Sequence, residues 1–327
     1  MGRQLTAATG WRVAGGVVAA GVAGLAYAHL ETKLFTVRRA TVPVLPAGEP
    51  DLRVLHVSDL HLTPSQGRKI AWVRSLAALE PHLVVNTGDN LAHRDSLGPL
   101  LHALAPLLTT APGAFVMGSN DYYSPKPKNP ARYLLPDARV APTRAPDLPS
   151  EELADAMVAA GWRDLTNRRD TVAADGRLLS LVGVDDPHLD RDDFPAPSPV
   201  EPVETEPVET RVSTGSTGDA VLHLGVTHAP YRRVLDRMHA DGTDVVLAGH
   251  THGGQLRVPG FGALVTNCDI DRRRVSGLHG WPGPRPDETG GNGSTWLHVS
   301  AGAGTSPYAP VRFACRPEAT LLTFTAR

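Results

Sequence analysis

From Val245 to Gln255 a short apolar run ends abruptly in Gly249-His250-Thr251-His252-Gly253-Gly254. A buried strand followed by a glycine-rich turn delivers both imidazoles at the carboxyl end of a sheet strand, the edge at which open α/β sheets bind ligands. Two imidazoles one residue apart can serve two different metal ions, and imidazole is the commonest protein metal ligand. Taken alone, the pair fits a solvated loop equally well. Four further apolar runs stop in the same way. Leu52–Val57 ends at Ser58-Asp59-Leu60-His61, His82–Thr87 at Gly88-Asp89-Asn90, Ala114–Met117 at Gly118-Ser119-Asn120-Asp121, and Val221–Val226 at Thr227-His228. Strand ends that carry Asp, Asn and His together describe a hydrolytic centre with two metals, which needs one shared carboxylate and nitrogen or oxygen ligands for each ion. No cysteine takes part, so the donors suit Mn, Fe or Zn rather than a soft metal or an iron–sulfur cluster.

In that order, Asp59-x-His61, Gly88-Asp89, the Gly118–Asp121 segment, His228 and Gly249-His-x-His252 resemble the calcineurin-like metallophosphoesterase family over roughly residues 50 to 327. Gly249-His-Thr-His-Gly-Gly-Gln255 with Val258-Pro259, Gly302–Ser306 and Val311-Arg312-Phe313 is similar to a bacterial, membrane-anchored subgroup. The resemblance implies an α/β fold, a four-layer α/β/β/α sandwich of two mixed sheets, with two divalent metal ions at one edge. It implies that Asp59, His61 and His252 hold the first metal, that His228 and His250 hold the second with an oxygen from the Gly118–Asp121 segment, and that Asp89 bridges both. Water or hydroxide between the metals would be the nucleophile, with the ions stabilising charge on the phosphoryl oxygens.

One block departs from the family, whose usual Gly-Asn-His is here Gly118-Ser119-Asn120. Aligned without a gap, Ser119 stands where the ligand Asn belongs; with a one-residue slip, Asn120 does. An amide oxygen is the better metal ligand, so Asn120 is expected to act. Either way the assisting imidazole is missing, and such a general acid typically contributes about 10²–10⁴-fold in rate. His188, after Gly183-Val-Asp-Asp-Pro187, is the candidate replacement, set against its ordinary reading as a solvated loop residue.

The elements that must bring these residues together can be read from the pattern. After the first strand, Ile70, Val73, Leu76 and Ala77 share one face of a helix over 68–80, stopped by Pro81. Strand, helix and strand then form a right-handed βαβ unit with Asp59 and Asp89 at the same edge. Ser150 is expected to cap a helix running to Ala160, Asp175-Gly176 to turn a hairpin, and Tyr231, Val234, Leu235 and Met238 to mark another helix. Ala319–Thr325 is expected to close the second sheet. Residues 125 to 149 carry seven prolines and read as an irregular wall of the cleft. A repeated Glu-Pro-Val-Glu-Thr inside about 190–219 reads as a disordered insertion within the 51–327 catalytic domain.

The amino terminus is a separate object. After a flank at 1–12, residues 13–30 are uncharged, rich in Gly and Ala, and close to the length that spans a bilayer. This fits a single-pass anchor in the cell membrane with the catalytic domain outside the cytoplasm, although Ala26-Tyr27-Ala28 leaves a cleaved signal peptide open. Residues 31–50, with three prolines after Thr41, read as an extended linker.

Of the 327 residues, 41 % are hydrophobic and the net charge is −2, enough for one large core and without the basic footprint of a nucleic-acid binder. Cys268 and Cys315 give no disulfide framework, though a single bridge stays open. Arg272-Arg273-Arg274 reads as a solvated run that could also meet a phosphate or an anionic headgroup. His56, His223 and His298 lie inside strand runs and read as core residues. The expected activity is cleavage of a phosphodiester, phosphomonoester or pyrophosphate, the anchor favouring a lipid-linked or cell-envelope substrate. The alternative is a metal-stabilised binding scaffold of the same fold with little turnover.

Overall fold

The computed structural model describes residues 7–127, 143–196 and 220–327, and for residues 7–14 the backbone alone. Among the described residues, fourteen strands, β1 (Thr36–Leu45), β2 (Leu52–Val57), β3 (Leu83–Asn86), β4 (Gly113–Phe115), β5 (Arg163–Asp164), β6 (Arg168–Ala174), β7 (Arg177–Gly183), β8 (Leu222–Thr227), β9 (Val245–Ala248), β10 (Arg257–Val258), β11 (Gly262–Ala263), β12 (Gly277–Trp281), β13 (Thr295–Val299) and β14 (Glu318–Ala326), alternate with six helices, α1 (Ala7–Glu31), α2 (Gly67–Ser75), α3 (Leu97–Thr110), α4 (Ser119–Tyr122), α5 (Ser150–Ala159) and α6 (Arg232–Ala240). Two six-stranded mixed sheets result, in the orders β1-β14-β2-β3-β4-β5 and β12-β13-β9-β8-β7-β6, with β10-β11 as a separate hairpin.

Period-two alternation in the central strands builds the layers. Val54 and Val85 face inward, where they join Leu179, Leu224 and Leu247 of the other sheet in a core between the sheets. Their neighbours Leu55, Val57 and Val84 face outward onto Val73 of α2, Leu104 and Leu107 of α3 and Met157 of α5. On the far side, Val246 and Ala248 meet Val234, Leu235 and Met238 of α6. Strands buried on both faces need continuous apolar sequence, which is why these runs lack polar alternation. The order of layers is α/β/β/α. β2, β3 and β4 run parallel, as do β7, β8 and β9, so their carboxyl ends open at one edge of each sheet.

Several expectations shift. The last strand, β14, does not close the second sheet; it inserts into the first, parallel to β1 and antiparallel to β2. Much of the expected linker is β1, paired with β14 from Thr36 to Leu45 apart from a bulge at Val44. Its Pro43 is tolerated because β1 is an edge strand, where a missing N–H need not break a ladder. Ser150 starts α5 without capping it, since Pro149 occupies the cap position. The Asp175-Gly176 hairpin forms as read, both residues at positive φ (50° and 74°), as a two-residue turn of this hand requires. Neither cysteine is in a disulfide. Of the proline-rich wall, residues 128–142 lie outside the described residues, as do 197–219 of the insertion. Ahead of the latter, Asp192 pairs with Arg233 at 2.5 Å and Phe194 packs beside α6.

Helix α1 runs beyond the expected 13–30 in both directions and ends against the domain. Arg312 donates its backbone N–H to Ala28 O at 2.8 Å, and the buried Glu31 accepts from the backbone of Ala314 and Cys315 at 3.0 and 2.6 Å. Among the described residues no helix is long and apolar enough to cross a membrane, so the fold does not by itself establish the expected anchor.

Candidate metal centre

All the strand-end residues singled out above meet at the shared edge. β2 delivers Asp59 and His61, β3 Asp89, α4 Asn120, β8 His228, and β9 His250 and His252. Five of them, Asp59, His61, Asp89, His250 and His252, adopt positive φ between 40° and 68°. The left-handed region is costly for residues with a Cβ and is found where a side chain must be aimed. Glycines make room for the turns. At Gly249 an added Cβ would run into Ser58 Oγ and lie 2.6 Å from Asp59 Oδ2.

The imidazoles face each other in two pairs. His61 Nε2 lies 3.1 Å from His252 Nε2, and His228 Nε2 lies 3.2 Å from His250 Nδ1. Three of these rings hold a backbone carbonyl with their other nitrogen: His228 Nδ1 is 2.7 Å from Thr87 O, His250 Nε2 is 3.0 Å from Asn267 O, and His252 Nδ1 is 3.0 Å from Gly304 O. Donating outward to a carbonyl fixes the tautomer and leaves a lone pair on the inward nitrogen. Two inward lone pairs at such separations repel unless a cation lies between them. Carboxylates complete each pair. Asp89 Oδ2 is 3.3 Å from His61 Nε2 and Asp89 Oδ1 is 3.5 Å from His228 Nε2. Asp59 Oδ1, 3.6 Å from His252 Nε2, is fully buried and accepts no hydrogen bond. Asp59, His61 and His252, and Asp59, Asp89 and His228, form two groups able to hold a metal ion. The donor set therefore fits two hard or borderline divalent ions.

The electrostatics agree for three of the four rings, while without metal His228 holds a proton against Asp89. Burial pushes His61 down to about 4 and holds His250 and His252 well below the usual imidazole range, so these rings are neutral, as metal ligands must be. Burial also works against protonation of His228, but Asp89, bonded to it, raises it well above its ordinary value. Burial would raise Asp89 too, yet His228 and His61 hold it well below the carboxylate range. Burial pushes Asp59 up to about 6.

Asn120 donates its backbone N–H to Asp89 Oδ1 at 2.7 Å and its Nδ2 to Asp89 Oδ2 at 2.8 Å. Ser119 Oγ only accepts from Asn120 Nδ2, at 3.2 Å. Asn120 is thus the residue of its block at the shared carboxylate, and acting as an oxygen ligand requires its amide to turn over. His188 also arrives at the site. Its ring centroid is 4.3 Å from that of His250, and its Nδ1 is 3.1 Å from Tyr231 Oη.

Several supporting residues escaped the sequence reading. Asp186, buried beyond β7, accepts the His188 N–H through Oδ1 while its Oδ2 has no partner; burial pushes it to about 7. It is a further strand-end carboxylate, and the signal that found the others was there to find it. Asp121 takes the N–H groups of Gly118, Asp89 and Asn90 at 2.8–3.0 Å and so ties the β3 and β4 turns together. Lys69 Nζ donates to Leu60 O at 2.6 Å beneath the Asp59–His61 turn. The fully buried Arg312 donates to the carbonyls of Ala301, Gly302 and Gly304 at 2.7–3.1 Å and reaches His252 Nδ1 at 3.2 Å. His56 and His298, with Nδ1 atoms 2.9 Å apart, are the buried core residues expected of them.

Residues 52–254 match the calcineurin-like phosphoesterase family. The chain belongs to that family. An Aquifex aeolicus (strain VF5) protein named an uncharacterized metallophosphoesterase is 27 % identical to this phosphoesterase over 256 residues, 76 % of this chain and 81 % of its own. The Escherichia coli (strain K12) protein named phosphodiesterase YaeI is 25 % identical over 306 residues, 91 % of this chain and 92 % of that one. Among solved structures, a 5'-nucleotidase precursor from Thermus thermophilus aligns with a TM-score of 0.38 at 16 % identity, over 84 % of this chain but only 55 % of the longer one. The phosphoesterase is an enzyme, a metal-dependent hydrolase of ester bonds, with a candidate metal site formed by the residues above.

Proposed function

We propose that this chain is a membrane-associated phosphohydrolase that cleaves a phosphodiester, phosphomonoester or pyrophosphate at a centre taking two divalent cations, Mn, Fe or Zn. Asp59, His61 and His252 would hold one ion, His228, His250 and Asn120 the other, and Asp89 would serve both. The observation that carries the reading is the pair of facing imidazole couples, at 3.1 and 3.2 Å, each flanked by a buried carboxylate. When bound, the ions supply positive charge for the phosphoryl oxygens and lower the pKa of water. The chain does the positioning. The carbonyls of Thr87, Asn267 and Gly304 hold three imidazoles in their tautomers, and Asp121 holds the Asp89 and Gly118 turns. His188, steadied by Tyr231, stands at the edge of the site to give a proton to the leaving group. Association with the membrane is assigned to α1, whose Val17, Val18, Val22 and Leu25 side chains are exposed.

The test is hydrolysis of bis(p-nitrophenyl) phosphate and p-nitrophenyl phosphate by the full chain, metal-free and with Mn²⁺, Zn²⁺ or Fe²⁺, beside His250→Ala. Metal-dependent turnover that disappears in the variant supports the reading. Because the Gly118–Asp121 block lacks the assisting imidazole, metal bound without turnover on either ester would favour the scaffold reading instead.

A further inference from the structure

The chain between His252 and Asn267 is an excursion whose two ends both belong to the metal centre: His252 is a proposed ligand, and Asn267 O holds His250. Within it lies the β10–β11 hairpin, and there the sequence places large apolar side chains where no core receives them. Leu256, Val258, Phe261 and Leu264 are 40 %, 44 %, 59 % and 51 % exposed. They are not scattered. Phe261 N–H donates to Val258 O and Leu264 N–H to Leu256 O, which folds the four into one unit. Leu256 bridges to Phe313, itself exposed, and the Phe313 ring stands edge-on to Tyr27 of α1 at 5.7 Å. Beyond Tyr27, α1 carries exposed Val17, Val18, Val22 and Leu25, which together with Tyr27 are spread round the helix rather than gathered on one face. Exposed apolar side chains grouped as the hairpin, Phe313 and Tyr27 are mark a contact site.

Cations border it. The Arg272 guanidinium lies 4.5 Å over the Phe261 ring. Where α1 meets the domain, Lys33, Arg68 and Arg316 line a pocket of about 290 Å³ with Leu34, Phe35 and Trp72, the two rings stacked at 4.9 Å. No carboxylate lines that pocket, and among the described residues neither Arg68 nor Arg316 is paired with one. Apolar side chains bordered by aromatic rings and unpaired cations make the surface that lies in a bilayer interface and attracts anionic headgroups. A protein partner would more often be met by a patch with hydrogen-bonding groups at its rim and fewer uncompensated charges.

We propose that Tyr27, Phe313 and the 256–264 hairpin form a bilayer-docking face beside the apolar helix α1, and that the substrate is therefore an amphiphilic phosphoester, its phosphoryl group at the membrane surface and its apolar tail in the lipid. The hairpin leaves the chain after His252 and returns at Asn267, whose carbonyl holds His250, so docking face and metal centre share one loop. Docking in the interface requires no membrane-spanning helix. The substrate class rests on the phosphohydrolase reading above; the docking face does not.

The experiment uses the full chain with vesicles of phosphatidylcholine and phosphatidylglycerol in equal parts. Phe261→Trp reports insertion: brominated-acyl lipids should quench this variant more than the unsubstituted chain. Phe261→Asp combined with Leu264→Asp should keep hydrolysis of dissolved bis(p-nitrophenyl) phosphate within about two-fold and slow hydrolysis of vesicle-embedded p-nitrophenyl hexadecyl phosphate by about ten-fold or more. Arg68→Gln with Arg316→Gln should weaken binding to these vesicles and leave binding to phosphatidylcholine alone unchanged. Absence of extra quenching, or equal turnover of the embedded ester by the doubly charged variant, would overturn the proposal. So would a fall in oligomeric state on Phe261→Asp with vesicle binding intact, which would assign the face to a second copy of the chain. Quenching without turnover of either ester would retain the face and remove the phosphohydrolase reading.

Discussion

Ser58→Ala isolates how the site holds a ligand without replacing one. Ser58 is fully buried, its Oγ donates to Asp59 Oδ2 and it accepts from Thr87 Oγ1 at 2.7 Å. Asp59 Oδ2 is otherwise held only by the His250 backbone N–H at 3.0 Å, so the substitution removes one of two restraints on the carboxylate. A hydrogen bond to a charged acceptor contributes about 1.5–3 kcal/mol. Thr87 keeps His56 Nε2 at 3.0 Å as a partner, so little is added for an unsatisfied hydroxyl. Loss of a group that orients a metal ligand typically weakens metal binding by about 10–100-fold, or about 1.4–2.8 kcal/mol, the same range. The assay is Mn²⁺ affinity by chelator competition, with thermal unfolding of the metal-free chain measured in parallel. Affinity should fall about 10–100-fold, and in an Asp59→Asn background Ser58→Ala should have almost no further effect, because the two act through one bond. An unchanged affinity with a lowered melting temperature would refute the reasoning: Ser58 would then support the fold and Asp59 would not be a ligand.

Three further outcomes follow from the geometry. Gly249→Ala drives a methyl group against Ser58 Oγ and Asp59 Oδ2, and should abolish metal binding while far-ultraviolet circular dichroism stays native; normal metal content would show that the turn can move aside. His188→Ala should leave p-nitrophenyl esters, whose leaving group needs no proton, nearly unaffected and slow alkyl phosphoesters by about 10²-fold or more, and equal slowing of both would remove its role as acid. Burial, aided by Arg312, pushes Lys69 down to about 7 against about 10.4 in an unfolded chain. Between those values the unfolded state binds more protons, so this residue makes stability rise with pH across that window. Urea unfolding at several pH values should show that rise flattened in Lys69→Met, and parallel pH profiles for the two chains would contradict the assignment.

The sequence disclosed the centre more fully than the frame around it. A buried strand that ends in a polar turn is a local signal, and it located Asp59, Asp89, His228 and His250 because each lies within a few residues of the strand that carries it. It also pointed to His188, whose place beside His250 depends on the turn after β7. Sheet membership is not local. Nothing in Ala319–Thr325 distinguishes a strand of the first sheet from one of the second, since both need the same apolar alternation, and β1 looked like a linker because its proline signals irregularity unless the strand is known to be an edge. Lys69 and Arg312 were invisible for a different reason. Their partners are backbone carbonyls of turns brought near by the fold, and no side-chain pattern announces a carbonyl. The apolar hairpin at 256–264 also hid, because whether Leu, Val and Phe side chains are covered depends on the fold around them, which no local pattern announces.

The most direct test of the central claim is the metal content of the full chain after reconstitution with Mn²⁺ or Zn²⁺ and removal of excess ion, compared with Asp89→Asn. Two ions per chain are expected, with loss of both ions and of all phosphoester hydrolysis in the variant, because both imidazole couples face that one carboxylate. Two tightly held ions in Asp89→Asn, or no stoichiometric metal in the unsubstituted chain, would contradict it.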